Sequence, residues 1–398
     1  MSHTAYDKDY NRDVIQEYQR LEQRNKIGLS TSKIRDQRDN DQITRDNEAK
    51  DFIEKNIRKK EFDGHNLKES PTDAFGKIRF VNCPASKPAQ YVRLADNTKM
   101  INVKKIVEDV WGMLKNKRKP NLVISVIGGA KNFNLHGKKR EAIKEAILAA
   151  AKPTNAWLVT DGINIGCSKL IGEIVKEGQF YVKDKDKSLS KMTRGIKAIG
   201  ICSWGFLANA NESLKNRTKQ QNENFSNSVA YDSKSSGYEN VNFKTYDSLS
   251  RKSAVKPSLD PNHTHFLLVD NGRDQRTYDR EVTKDFYGDF LNLMSQSKVE
   301  GGLDIPVITL LIEGGTTSIE KSLDSLDRKI PCVIMAGSGR AADIVAFALK
   351  NKSTSKTKDT EQEIEKMIKA SFQEAKSNVD RRKEIINMIS EIVEHVEI

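Results

Sequence analysis

Three glycine-rich segments of the chain each follow a run of apolar, β-branched residues, a pattern typical of strands buried in a parallel sheet. The segments are residues 128–132 (GGAKN), 313–315 (EGG) and 337–340 (GSGR). Glycine allows main-chain N–H groups to approach a ligand closely, and a helix that begins after such a turn directs its positive end to the same place. Because the carboxyl ends of parallel strands meet at one edge of a sheet, we predict a single anion-binding crevice there.

Three charged side chains in these segments could take part in binding. Arg340 falls in the first turn of a predicted helix, where the positive end of the helix dipole disfavours a cation. Its guanidinium could clamp a phosphate, or it could be an ordinary surface arginine. Lys131 has the same two interpretations. Glu313 could accept hydrogen bonds from ribose hydroxyls or could make a loop or helix N-terminal hydrogen bond.

The order of the apolar segments predicts the fold that positions these side chains. The predicted strands are residues 122–127, 157–160, 196–203, 266–269, 307–312 and 332–335, and the predicted helices are residues 138–151, 165–177, 279–295 and 340–350. Their alternation with short connections predicts right-handed β–α–β units in a doubly wound, mostly parallel α/β sheet. Pro153 is expected to end the first of these helices.

The other segments are expected at the periphery of this sheet. Residues 1–54 are predicted to be a polar arm that is mobile or partner-dependent, and residues 52–93 to contain short strands at the domain edge. An amphipathic helix is predicted over residues 98–114. Residues 204–259 are expected to form a polar surface insertion or lid, and residues 351–398 a C-terminal segment with two amphipathic helices.

Composition narrows the classes of partner. The net charge is +12, but only 7% of the residues are aromatic and few of these lie among the basic runs, so a solvated face or a field for small phosphorylated ligands is favoured over nucleic-acid binding. No run approaches the ~18 apolar residues of a membrane span, and the N-terminus lacks an apolar signal-peptide core. These features predict a soluble, cytosolic chain without membrane insertion.

Cysteine and histidine spacing gives little support for a metal site. Cys83, Cys167, Cys202 and Cys332 include no CxxC pair and are expected to be reduced thiols. His263 and His265 would face the same side of a strand, and a packed or hydrogen-bonded pair is favoured over metal ligation.

Six motifs, in order and in register, resemble one protein family. They are PTDAFGKIRF (71–80), PNLVISVIGGAKNF (120–133), AWLVTDGINIGCSKLIGEIV (156–175), NHTHFLLVDNG (262–272), IPVITLLIEGG (305–315) and PCVIMAGSGRAADIVAFAL (331–349). Residues 55–350 resemble the amino-terminal cytosolic homology region of melastatin-type TRP (TRPM) cation channels. The resemblance is greatest to the ADP-ribose-gated, calcium-permeable member of the family.

The resemblance implies a Rossmann-like domain of the SLOG superfamily that senses nucleotides on the cytoplasmic side of a membrane. The implied ligand is ADP-ribose or a related adenine nucleotide, the implied partners are the other cytosolic and transmembrane parts of a tetrameric channel, and no cofactor, metal or catalytic residue is implied. The implied ligand-binding residues are Gly128, Gly129, Ala130, Lys131, Asn132, Thr160, Gly162, Tyr278, Lys284, Glu313, Gly314, Gly315, Gly337, Ser338, Gly339 and Arg340. Of these, Tyr278 would stack on the adenine.

Two departures from the family pattern affect the expected site. Asp161 occupies a position where the family has glycine, and a carboxylate at a phosphate-binding turn should weaken anion binding unless it points away. The ADP-ribose-gated member has an arginine where this chain offers Lys284 or Asp285, depending on a one-residue gap. The chain also contains no pore helices, recognisable coiled coil or Nudix-like domain, so it is either the sensor portion of a channel or a free-standing relative.

Two other functions compete with nucleotide sensing. The first is an assembly module whose crevice has lost its ligand. The second is a phosphoribohydrolase, because residues 313–321 (EGGTTSIEK) resemble the motif of SLOG enzymes that release a base from a nucleotide. The acidic residue Glu320 falls one position early, and a one-residue displacement rotates a side chain by about 100° on a helix, which disfavours catalysis.

Overall fold

A computed structural model describes residues 43–81, 88–114, 119–130, 133–180, 195–216, 243–246, 256–273, 281–352 and 358–395. The chain divides into two compact units, residues 1–52 and 53–398. Residues 43–56 form helix α1, so the described end of the predicted polar arm is helical. The remainder of that arm, residues 1–42, lies outside the described residues.

A nine-stranded sheet forms the centre of the second unit, in the order β11-β10-β5-β6-β7-β9-β4-β3-β8. The strands are β3 (Phe75–Phe80), β4 (Ala89–Ala95), β5 (Val123–Gly128), β6 (Trp157–Thr160), β7 (Lys197–Ser203), β8 (Phe243–Tyr246), β9 (His265–Asp270), β10 (Val307–Ile312) and β11 (Cys332–Ile334). Strands β3 and β8 are parallel to each other, β3 is antiparallel to β4, and all other neighbours are parallel. A separate antiparallel hairpin consists of β1 (Arg58–Phe62) and β2 (Leu67–Pro71).

The order in which successive strands are added to the sheet reverses at β5. From β5 the chain passes to β6 and then β7 on one side, whereas β10 pairs with β5 on the other side. The β5–β10 register runs from Val123 with Val307 to Gly128 with Ile312, so both strands end at the same level. In open α/β sheets a reversal of this kind leaves a crevice at the carboxyl ends of the strands, where ligands bind.

Helices cover both faces of the sheet, which confirms the predicted α/β class. The helices are α2 (Met100–Lys105, continued by a π-helical turn, Ile106–Val110), α3 (Gly137–Thr154), α4 (Gly166–Phe180), α5 (Ala210–Ser213), α6 (Glu281–Ser295), α7 (Thr316–Asp327), α8 (Arg340–Lys350), α9 (Lys358–Ser371) and α10 (Val379–Glu394). Apolar residues of α3 and α4 pack on one face of β5, β6 and β10. Those of α7 to α10 form a second cluster against the other face. The C-terminal helices therefore belong to the core.

Several segments differ from their predicted positions. Strand β4 lies inside the sheet, between β9 and β3, and its residues are buried or half-buried on both faces. Pro153 lies within the last turn of α3, and the helix ends at Asn155, which adopts a left-handed conformation. The expected polar insertion begins with buried residues, including Trp204 and Leu207, and contributes edge strand β8. Residues 217–242 and 247–255 lie outside the described residues.

A buried ion cluster joins the hairpin to the end of β9. Arg93, on β4, lies 2.7 Å from an Asp270 carboxylate oxygen and 2.9 Å from Asp73, and its guanidinium packs over Trp204. Asp270 also accepts a hydrogen bond from the main-chain N–H of Lys60 on β1. Burial raises the pKa of Asp270 more than the adjacent Arg93 lowers it. Asp270 therefore depends on Arg93 to remain charged in the interior.

Replacing Arg93 with methionine should strongly destabilise the chain. Removal of one partner from a buried ion pair leaves an uncompensated charge and typically costs about 3–5 kcal/mol. Urea unfolding of Arg93→Met measures this loss. Arg79→Met removes the same charge from an exposed position on β3 and should change stability by only about 0.5 kcal/mol. Equal losses in the two variants would contradict the structural role of Arg93.

Candidate functional site

The end of β5 is packed tightly against its neighbours. A Cβ atom at Gly128 would overlap the carbonyl oxygen of Ile312 and lie 2.9 Å from the sulfur of Cys167. A Cβ atom at Gly129 would overlap the carboxylate of Glu313. Neither glycine has a positive φ angle, so close packing rather than the expected sharp turn requires them. Ala130 is the last described residue of this segment, and Lys131 and Asn132 lie outside the described residues.

The end of β10 is a strained turn with a buried acid. Glu313 adopts a left-handed conformation with φ of 56°, and its side chain is only 2% exposed. One carboxylate oxygen accepts a hydrogen bond from the Asn134 N–H at 3.1 Å, and the other is buried without a hydrogen-bond partner among the described residues. Burial raises the pKa of Glu313, and the Asn134 N–H and Arg340 lower it by less. The hydrogen bond from Asn134 is a loop hydrogen bond, which is one of the two roles that the sequence allows for Glu313.

The GSGR turn after β11 is held by hydrogen bonds on both sides. Gly337 donates its N–H to Asp343 at 2.6 Å and accepts from the ammonium of Lys139 at 2.9 Å. Ser338 accepts from the main-chain N–H of Glu313 at 2.8 Å through its hydroxyl oxygen. Gly337 and Gly339 have φ angles of 83° and 113°, which only glycine adopts without strain.

The first turn of α8 has few main-chain donors left for a ligand. The N–H groups of Ala341 and Ala342 donate to the carbonyls of Gly314 and Glu313, at 3.4 and 2.9 Å. An anion bound at this turn would therefore depend on the side chain of Arg340 more than on the helix N-terminus. This differs from the expected cradle of N–H groups, because the two adjacent turns bond to each other.

Arg340 points towards the start of α7. Its guanidinium lies 5.7 Å from the centre of the Phe372 ring, and one of its terminal nitrogens would be 3.7 Å from a Cβ atom at Gly315. Gly315 is the N-cap residue of α7 and provides no side-chain cap. The hydroxyl of Thr316 donates to Glu374 at 3.1 Å. The long cationic side chain of Arg340, the glycine turn at Gly315 and the positive end of α7 thus lie together at the switch point.

The turn after β6 faces partly inward. The hydroxyl of Thr160 is buried, accepts from the Gly162 N–H at 2.9 Å and bonds to His263 Nε2 at 2.8 Å. His263 Nδ1 lies 2.9 Å from Asp260, and His265 packs against the Trp111 ring. His263 is thus hydrogen-bonded and His265 is packed, in line with the interpretation favoured over metal ligation, although the two histidines have separate partners. No group of three or more His, Cys, Asp or Glu residues in the described ranges could hold a metal ion.

Asp161 is paired rather than free to repel an anion. Its carboxylate lies 2.8 Å from the ammonium of Lys321 on α7. Lys321 also lies over the ring of Tyr287, at 4.8 Å from the ring centre. The ion pair neutralises the carboxylate that the sequence places at this turn, and no local pattern around Asp161 indicates Lys321, which is 160 residues away.

The structure brings together the turns after β5, β10 and β11 but not every predicted site residue. Lys284 is half-buried in the first turn of α6, Asp285 is exposed there, and Tyr278 lies outside the described residues. Residues that the sequence patterns did not indicate also border the crevice. These are Lys139, Lys321, Asp343, Phe372 and Glu374.

A doubly wound, mostly parallel sheet with glycine turns at its switch point defines a Rossmann-like α/β class of fold. The sequence model of the family described as "SLOG in TRPM" matches residues 89–238 and 232–391. The chain belongs to this family.

Curated relatives agree with this assignment. The chain is 31% identical over 281 residues to "Transient receptor potential cation channel subfamily M member-like 2" of Nematostella vectensis, which covers 70% of the chain and 16% of that protein. The identity to subfamily M member 2 of Rattus norvegicus is 31% over 281 residues, 70% of the chain and 16% of the relative. The identity to subfamily M member 7 of Rattus norvegicus is 31% over 286 residues, which is 71% of the chain and 13% of that relative.

The chain thus matches about one sixth or less of the length of these relatives. Among the residues that the structure describes, no helix combines the length and apolar character needed to cross a membrane.

The buried carboxyl of Glu313 predicts a pH-dependent effect of Glu313→Gln. Because the folded-state pKa is raised, stability of the parent should fall as pH rises from the ordinary glutamate pKa through the raised value. The glutamine variant lacks this fall. The unfolding free energy of the variant relative to the parent should therefore increase as pH rises from the ordinary glutamate pKa through the raised value, as measured by urea unfolding.

If the unfolding free energy of Glu313→Gln relative to the parent fell with rising pH, the buried environment assigned to Glu313 would be contradicted.

Proposed function

We propose that this chain is a cytoplasmic ligand-sensing domain of a TRPM-type, calcium-permeable cation channel. In this proposal ADP-ribose or a related adenine nucleotide binds at the switch point and regulates gating through neighbouring parts of a tetrameric channel. The observation that carries the proposal is the Arg340 guanidinium, held beside Gly315 at the carboxyl ends of β5 and β10. Membership of the TRPM family supports the channel context.

Charge at the crevice supports an anionic ligand. Arg340 has no hydrogen-bond or ion-pair partner in the described contacts, and an arginine fork suits the oxygens of a diphosphate. The one carboxylate in the turn after β6, Asp161, is neutralised by Lys321. The departure from the family pattern at Asp161 is therefore compatible with phosphate binding.

The geometry gives no support to a phosphoribohydrolase. The candidate acid Glu320 lies 3.1 Å from the Arg381 guanidinium of α10, and both side chains are largely buried in that ion pair. A general acid or base must reach the atom whose proton it transfers. We propose a domain without catalysis, and chromatographic detection of base release from AMP tests this directly.

An assembly module is a second candidate function. Two observations favour it: the N–H groups at the start of α8 are already bonded to the turn after β10, and Glu313 is covered by the segment after β5. If the module lacks a ligand, ADP-ribose should not affect its stability at any concentration in the millimolar range.

Thermal unfolding with and without ADP-ribose separates these functions. A ligand present at a hundred times its dissociation constant stabilises the folded state by about 2.7 kcal/mol. The wild-type chain should show this shift and Arg340→Ala should lose most of it. Arg79→Ala, which removes the same charge from an exposed site on β3, should keep the shift. A wild-type chain that does not respond would contradict nucleotide sensing.

The Asp161–Lys321 ion pair predicts an effect on ADP-ribose affinity that a second substitution should reverse. Lys321→Met leaves the carboxylate unpaired beside the crevice, which should weaken ADP-ribose binding by roughly 1 kcal/mol, or about fivefold. Adding Asp161→Asn to Lys321→Met removes the charge and should restore affinity. Calorimetric titration at low salt measures both steps, and a double variant as weak as the single one would contradict this account.

A further inference from the structure

The Arg340 side chain has a neighbour that lies outside every glycine-rich segment. Phe372 follows the last residue of α9 and is fully buried, and its ring centre lies 5.7 Å from the Arg340 guanidinium. A guanidinium within about 6 Å of an aromatic ring centre is attracted by the negative face of the ring. The same cation is near Gly315, so it lies close to both the ring and the start of α7.

We propose that Phe372 is a positioning residue that holds the Arg340 guanidinium at the crevice for phosphate. The proposal rests on the proposed function. It assigns a role in ligand affinity to the C-terminal helices, which contain none of the glycine motifs.

Arg340 needs such support because little else fixes its side chain. An arginine side chain has about 2 kcal/mol of rotamer entropy, which a binding site must otherwise restrict when the ligand arrives. The Glu313 carboxylate interacts electrostatically with Arg340, but it is buried and accepts its hydrogen bond from the Asn134 N–H rather than from the guanidinium. The ring of Phe372 restricts the guanidinium without using any of its N–H donors, which remain available for phosphate oxygens.

Phe372 is itself rigidly held. It packs in the apolar cluster formed by α7 to α10, and its N–H donates to the carbonyl of Ile368 at 2.9 Å. Two residues later, Glu374 accepts a hydrogen bond from Thr316 in the first turn of α7. The turn after α9 is thereby tied to the same place that the guanidinium faces.

Calorimetric titration of Phe372→Leu with ADP-ribose tests the proposal. Leucine keeps much of the buried apolar volume but removes the ring face, and the dissociation constant should rise about threefold to tenfold. The control Phe347→Leu removes a ring from the same cluster without a described arginine contact and should leave affinity unchanged. In an Arg340→Gln background, Phe372→Leu should cause no further loss, because it acts through Arg340.

Equal weakening by the two leucine variants, or the same loss with and without Arg340, would overturn the positioning role. A ligand-free measurement keeps the test independent of nucleotide binding. In NMR spectra the Arg340 Hε resonance should move when Phe372 becomes leucine and stay in place for Phe347→Leu. If the wild-type chain does not bind ADP-ribose, the proposed function fails, and an Arg340 Hε resonance that is unaffected by Phe372→Leu would overturn the positioning role as well.

Discussion

The close approach of the ends of β5 and β10 sets the geometry of the whole crevice. Gly128 lies against the carbonyl of Ile312 and Gly129 against the carboxylate of Glu313, with no room for a Cβ atom at either position. This contact allows the turns after β10 and β11 to bond to each other and to place Arg340 at the switch point. A larger residue at Gly128 would have to separate two paired strands, which would displace every group around the crevice.

Several charged side chains near the described sheet form ion pairs. Arg93 pairs with Asp270, and Lys321 pairs with Asp161. The two partners of each pair lie far apart in the sequence. Glu313 instead combines a left-handed backbone, a buried carboxylate oxygen without a partner and a raised pKa. Local departures of this kind concentrate at functional sites, since a stable core would otherwise avoid their cost. The position of Glu313 beneath two glycine turns is consistent with a site that is kept for ligand binding.

Patterns within short segments allowed most of the fold to be predicted. Apolar β-branched runs predicted the parallel strands, and helical spacing predicted α3, α4, α6, α8 and the C-terminal pair α9 and α10. The interior position of β4 was not predicted, because the sequence of a short strand does not show whether it lies at an edge or in the centre of a sheet. The glycine turns and Arg340 were located correctly in the chain, but whether N–H donors remain available depends on contacts between separate turns.

Side chains that complete the crevice could not be found from local sequence. Lys321 and Phe372 approach Asp161 and Arg340 only because helices from distant parts of the chain pack on one face of the sheet. Neither residue has a distinctive neighbour or spacing, since each is an ordinary member of an amphipathic helix or the turn after it. Such pairings are properties of the packed structure.

The most direct test is an experimental structure of the chain with ADP-ribose. The account predicts the diphosphate at the carboxyl ends of β5 and β10, within hydrogen-bonding distance of the Arg340 guanidinium, with Phe372 behind it. An empty crevice at saturating ligand, or ligand bound elsewhere on the domain, would contradict it.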